Sequence, residues 1–118
     1  MLEFPLIDLP LILAVSKKGA VDGLVALGMP TEKAKTYISE IAPAHASGWA
    51  ILVEDATGGV ICALMVAKKR DYNTVAHEAT HIAVMALNWS GIKYTEDEHE
   101  ILAMSIGWLT ERHTESWR

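Results

Sequence analysis

The chain has 118 residues and a mass of 12.9 kDa, with 51% hydrophobic and 21% charged residues. That is one compact domain with one core, and it excludes a disordered chain. Fifteen acidic residues against ten basic ones leave a formal net charge of −5, so no electrostatic footprint for nucleic acid or an anionic membrane is expected.

The single cysteine, Cys62, excludes an intramolecular disulfide and any cluster that needs several thiolates. It lies in an apolar run and is expected to be a buried thiol. The longest apolar runs span about eight residues, far short of the roughly 20 that cross a bilayer. Met1-Leu2-Glu3 lacks the basic start of a signal peptide, so the expected location is the cytoplasm. Lys68-Lys69-Arg70 is the one basic run, expected to be a solvated strand end.

In chain order, residues 9–15 are short and apolar, which predicts a buried strand. Residues 20–27 are helix-compatible and stop at Gly28 with Pro30 just beyond. A second helix is expected over Thr31–Ile41, with Thr31 as its N-cap and Pro43 closing it. Residues 49–54 and 60–67 read as two strands joined by Asp55-Ala56-Thr57-Gly58-Gly59, where glycines permit the positive φ of a tight turn. Their faces are largely apolar, so helices should cover the sheet on at least one side. A helix over 73–89 should end near Ser90-Gly91. A last helix should open at Thr95-Glu96-Asp97-Glu98, where Thr95 and Glu98 form a capping box and the acids suit the helix dipole. It should run to about Arg112. The pattern predicts a single α+β domain over 1–118.

The helix over 73–89 carries His77-Glu78-Ala79-Thr80-His81, an H-E-x-x-H motif. Residues i and i+4 share one helix face, and two imidazoles there can close on one zinc ion. Glu78 is turned about 100° from His77. It can reach a zinc-bound water and take its proton once the metal has lowered the water pKa toward about 7. By composition a chance match is expected only about 0.02 times in such a chain, which favours a site over coincidence.

Two histidines leave one ligand missing, because a catalytic zinc takes three from the protein and keeps one position open. The longer pattern with a third histidine fails, since Val84 and Leu87 stand where it needs Gly and His. Glu96, Glu98, His99 and Glu100 are the candidates on the next helix. Glu100 is favoured: it shares a face with Ala103, Met104 and Gly107, and small residues let a neighbouring helix approach. Glu98 and His99 stay open. Tyr94 can hydrogen-bond a developing oxyanion, with Tyr72 a second phenol of that kind. His45 lies in a loop. His113, near the chain end, is expected to be exposed.

The segment 49–112 resembles the small zincin-like proteins of tailed bacteriophages and prophages. The likeness rests on the strand hairpin, H-E-x-x-H at His77–His81, the turn at Gly91-Ile92 and the run Glu100-Ile101-Leu102-Ala103. More widely it resembles the gluzincins and the minimal ImmA/IrrE-type peptidases. The resemblance implies a zincin-like fold, with a small mixed sheet over the active-site helix, and a zinc metallopeptidase with Zn2+ on His77, His81 and Glu100. Glu78 would be the general base, with Tyr94 as oxyanion stabiliser. It also implies a peptide or protein substrate lying along a sheet edge, formed by 60–67 or 49–54. The alternative is a non-enzymatic phage accessory protein in which zinc is structural or vestigial. A monomer and a homodimer are both compatible with a chain this small.

Overall fold

The computed structural model describes residues 4, 7–42, 47–92 and 99–117. The element order is β1 (Leu11–Ala14), α1 (Lys17–Ala26), α2 (Thr31–Ile41), β2 (Gly48–Glu54), β3 (Val60–Ala67), α3 (Tyr72–Ser90) and α4 (Glu100–Glu115). The result is a small α+β domain built on a three-stranded mixed sheet of order β1-β3-β2. β3 pairs parallel with β1 and antiparallel with β2. The second hairpin strand is therefore the centre of the sheet. Its sequence, VICALMVA, is apolar on both faces because both faces are covered.

Side-chain alternation divides the core into two layers. Leu11, Ala63, Met65 and Ala67 face one way and pack on α3 and on Leu109 of α4. Ile12, Ala14, Trp49, Val53, Cys62, Leu64 and Val66 face the other way and pack on α1 and α2. Cys62 is fully buried as expected, and burial pushes its thiol pKa up to about 12.

The turn before β3 is built by Asp55. Its carboxylate accepts the N–H groups of Thr57 (2.9 Å) and Gly59 (3.0 Å) and the Thr57 hydroxyl (2.6 Å). Those bonds, led by the Thr57 hydroxyl, hold its carboxyl below the usual carboxylate range. Gly58 takes φ +86° there. Lys68, Lys69 and Arg70 are exposed beyond β3.

Several local expectations are corrected. α1 starts three residues earlier than residue 20 because the Ser16 hydroxyl caps it, accepting from Gly19 N at 3.1 Å. Pro30, not Thr31, occupies the N-cap of α2, and Thr31 is already helical. The capping box Thr95–Glu98 lies outside the described residues. Strand 60–67 is not a sheet edge, since β3 lies between the other two strands. No helix among the described residues is long and apolar enough to cross a membrane.

Candidate functional site

Asp71 starts α3. Its carboxylate accepts the Thr74 N–H at 3.1 Å and the Thr74 hydroxyl at 2.7 Å, and these bonds hold its pKa low. Gly91 ends the helix in the left-handed region, at φ +78°. Between these caps runs a buried stripe of Val75, Glu78, Ala79, Ile82, Ala83, Ala86 and Leu87. Six of the seven are apolar. Glu78 is the exception, 7% exposed within that stripe.

His77 and His81 lie one turn apart on the exposed side of α3. Their Nε2 atoms are 3.1 Å apart, with ring planes at 78°. Two nitrogens at zinc–ligand distance on tetrahedral positions would be separated by about 3.3 Å. The pair is thus already at the spacing of two ligands on one ion. The Glu78 carboxylate stands beside them, with Oε1 3.8 Å from His77 Nε2.

Glu78 opens into a cavity of about 260 Å3, lined by Ser47, Gly48, Asn73, Thr74, His77 and Glu78. The roof of that cavity is the start of β2. A Cβ placed on Gly48 would come within 2.5 Å of Thr74 Cγ2, 2.7 Å of the Val66 carbonyl oxygen and 3.2 Å of Glu78 Cγ. Only glycine lets the edge strand lie this close to the helix that carries the motif.

The third ligand is not assembled in the same way. Glu100 is exposed, in the first turn of α4. Among the described residues, no group of three or more His, Cys, Asp or Glu side chains is placed to hold a metal ion. The face of Glu100, Ala103, Met104 and Gly107, expected to approach a neighbouring helix, faces solvent instead. Ala103, Met104 and Gly107 are exposed, and a Cβ on Gly107 would meet nothing within 4 Å. α4 instead packs through Ile101, Leu102, Ile106 and Leu109, with Ser105 and His113 buried on that side. His99 is exposed at the helix start. Tyr94, Glu96, Glu98 and His45 lie outside the described residues.

Other candidates fall elsewhere. Tyr72 is 65% exposed and packs edge-on against Trp117, with centroids 5.2 Å apart. His113, expected at the surface, is fully buried. It touches the first strand at the Ala14 carbonyl oxygen. A larger cleft of about 490 Å3 between α1 and α2, lined by Val21, Val25 and Ile38 with lysines at its rim, lies away from the histidine pair.

Sequence reasoning missed Gly48, Asn73 and Thr74. The only available signal was a glycine placed just before an apolar strand. No family model, curated protein or solved structure matches the chain.

Proposed function

We propose that the chain is a zinc-dependent metallopeptidase of the zincin type. The observation that carries this reading is the convergence of His77 Nε2 and His81 Nε2 at 3.1 Å beside a Glu78 carboxylate that opens into a cavity. His77 and His81 would hold Zn2+, with Glu100 as the third ligand and Glu98 or His99 as the alternatives. A zinc ion held there supplies Lewis acidity and a lowered water pKa.

The chain's own residues account for the remaining chemistry. Among the described residues Glu78 is the one carboxylate lining the cavity, and it would be the general base that takes the proton of the attacking water. It returns that proton to the leaving amine. Burial to 7% exposure restricts its rotamers and fixes its aim. Tyr94 is proposed as the oxyanion donor.

One observation favours a second reading. The histidine pair itself lies on the exposed side of α3, where a zinc ion could also serve a non-enzymatic accessory protein as a structural or vestigial site. Zinc content and peptide hydrolysis separate the two. Purified wild type should hold about one zinc per chain and cleave a denatured protein substrate. Glu78→Gln should keep the metal and lose cleavage, and Glu100→Ala should lose both. No zinc under metal-replete conditions overturns the first reading. Zinc without cleavage favours the second.

A further inference from the structure

We infer that the cleft between α1 and α2 binds a small anionic amphiphile, with one acidic head group on an apolar chain of about 10 Å. The inference goes beyond the peptidase reading and does not rest on it. The cleft belongs to the face of the sheet covered by α1 and α2, whereas α3 and its histidine pair cover the other face.

The cleft follows from how α1 meets the sheet. A Cβ on Gly23 would come within 2.6 Å of Ile12 Cγ2, and one on Gly19 within 3.3 Å of Ala14 Cβ. These glycines let α1 lie close on β1. Ala20 and Leu24 fill that contact and are buried. The rotation this fixes turns Val21 and Val25, one turn apart, toward α2. Ile38 of α2 meets them without closing the gap. A cleft of about 490 Å3 remains between the helices, and Val25 is 36% exposed beside it. Nine residues line the cleft, against about 20–30 a side in a stable protein interface. Its volume falls in the range of roughly 300–1,000 Å3 typical of small-molecule sites, which are mostly apolar with a few placed polar groups.

The charge of the lining selects the head group. Lys17, Lys18 and Lys35 stand there with a single acid, Asp22, in a chain whose net charge is −5. Lys17 and Lys18 open α1, whose first turn carries no acid. That turn is the positive end of the helix dipole, where cations are unfavourable and an anion is favourable. Asp22 holds Lys18 Nζ at 2.9 Å, and among the described residues Lys17 has no carboxylate partner. Lys35 reaches Glu32 at 3.5 Å in a pair whose side chains are 60% and 89% exposed, and such a pair is weak and readily exchanged. A bound anion relieves the repulsion at the start of α1. From Lys18 to Val25 the helix rises about 10 Å, past Val21 and opposite Ile38. The apolar chain of the ligand lies along that floor, with the lysine stems at its sides.

The test titrates the full chain with decanoate, octanoate and decyltrimethylammonium, all below their micelle thresholds, and reads calorimetry and backbone amide NMR. Decanoate should bind about tenfold or more tighter than decyltrimethylammonium. Octanoate should bind about tenfold more weakly than decanoate, since two methylenes leave the cleft. The shifted amides should fall within α1 and α2. The double variant Lys17→Glu, Lys18→Glu should reverse the preference and favour decyltrimethylammonium. Glutamates suit the start of a helix, and a gained affinity cannot arise from misfolding. No binding of decanoate at about 1 mM, equal binding of the two charged probes, an unreversed preference in the double variant, or shifts centred on α3 each overturn the inference. Two further outcomes also overturn it. One is sedimentation with phosphatidylglycerol vesicles that decanoate does not compete, which assigns the lysines to a membrane surface. The other is a dimer that the double variant breaks and decanoate does not, which assigns the cleft to a second copy of the chain.

Discussion

His113 Nε2 lies 3.0 Å from the carbonyl oxygen of Ala14, joining the last helix to the first strand across 99 residues of sequence. The other ring nitrogen, Nδ1, accepts the indole N–H of Trp117 at 3.2 Å. An indole nitrogen only donates and a carbonyl only accepts, so this network assigns the proton to Nε2. The ring is fully buried and satisfied as the neutral imidazole. A second proton, on Nδ1, would face a donor. Burial pushes the pKa of His113 below its ordinary value, and the backbone acceptors offset this only in part.

Stability should therefore fall with acidity in a defined window. An unfolded imidazole titrates near about 6.5, and the folded one lower. As pH drops through about 6.5, the unfolded chain takes up the proton first. Folding stability from this group is complete above that pH and is lost down to the folded pKa, by at most about 1.4 kcal/mol per pH unit. Asp55 and Asp71, with lowered pKa values, add a separate loss at more acidic pH. Urea denaturation from about pH 8 to about pH 2 measures both (about 0.5-unit steps resolve them). His113→Phe should be less stable at pH 8 by about 1–3 kcal/mol, because it orphans the Ala14 carbonyl and the Trp117 N–H. It should also lose the slope near neutrality. An unchanged slope would assign that titration to another group.

Gly48→Ala should be destabilising and should disturb the site at once. The added methyl meets the Val66 backbone carbonyl at 2.7 Å, which cannot rotate away. The strand must lift from α3, at a cost of about 1–3 kcal/mol. Glu78 Cγ is the next atom in its path, at 3.2 Å. Denaturation midpoints and histidine ring NMR shifts should both move. A stable variant with unmoved His77 and His81 resonances would show that β2 does not fix the Glu78 position.

The sequence disclosed the elements better than their arrangement. Strands and helices followed from apolar runs punctuated by Gly28, Gly58 and Gly91, whose positive φ values mark three of the breaks. The order of strands was not legible. Nothing local in VICALMVA says that its second neighbour is β1, reached through two helices and a strand. His77 and His81 were legible because helical spacing alone sets their separation. Glu100 was placed on a packing face by its small neighbours, whereas α4 turns Ile101, Leu102 and Leu109 inward. The larger apolar surface decided the rotation of the helix. The burial of His113 is illegible for a related reason: its partner, Ala14, is remote in sequence, and a backbone carbonyl leaves no trace in residue identity.

Cys62 should be silent to thiol reagents in the native state. It is fully buried, and burial raises its pKa to about 12, so almost no thiolate exists at neutral pH. Labelling by a disulfide reagent should proceed only through opening of the sheet centre. Its rate should rise with urea in parallel with global unfolding. Fast labelling in native buffer would mean that the layer of α1 and α2 opens on its own.

Metal addition supplies the sharpest separation between stability and function. His77 is 67% exposed at its side chain, and its principal side-chain partners are His81 and Glu78. His77→Ala should leave the melting temperature of the metal-free protein nearly unchanged, since surface substitutions away from buried features stay within about 0.5 kcal/mol. Zinc should raise the melting temperature of wild type, because a ligand that binds the folded state stabilises it by about 2.7 kcal/mol at a hundred times its Kd. The same zinc should do nothing for His77→Ala or His81→Ala, and EDTA should return wild type to its metal-free value. Calorimetry on the three proteins with and without zinc, and on wild type after EDTA, reads each of these states. A zinc shift that survives His77→Ala would place the metal elsewhere on the chain and leave the H-E-x-x-H helix without its ion.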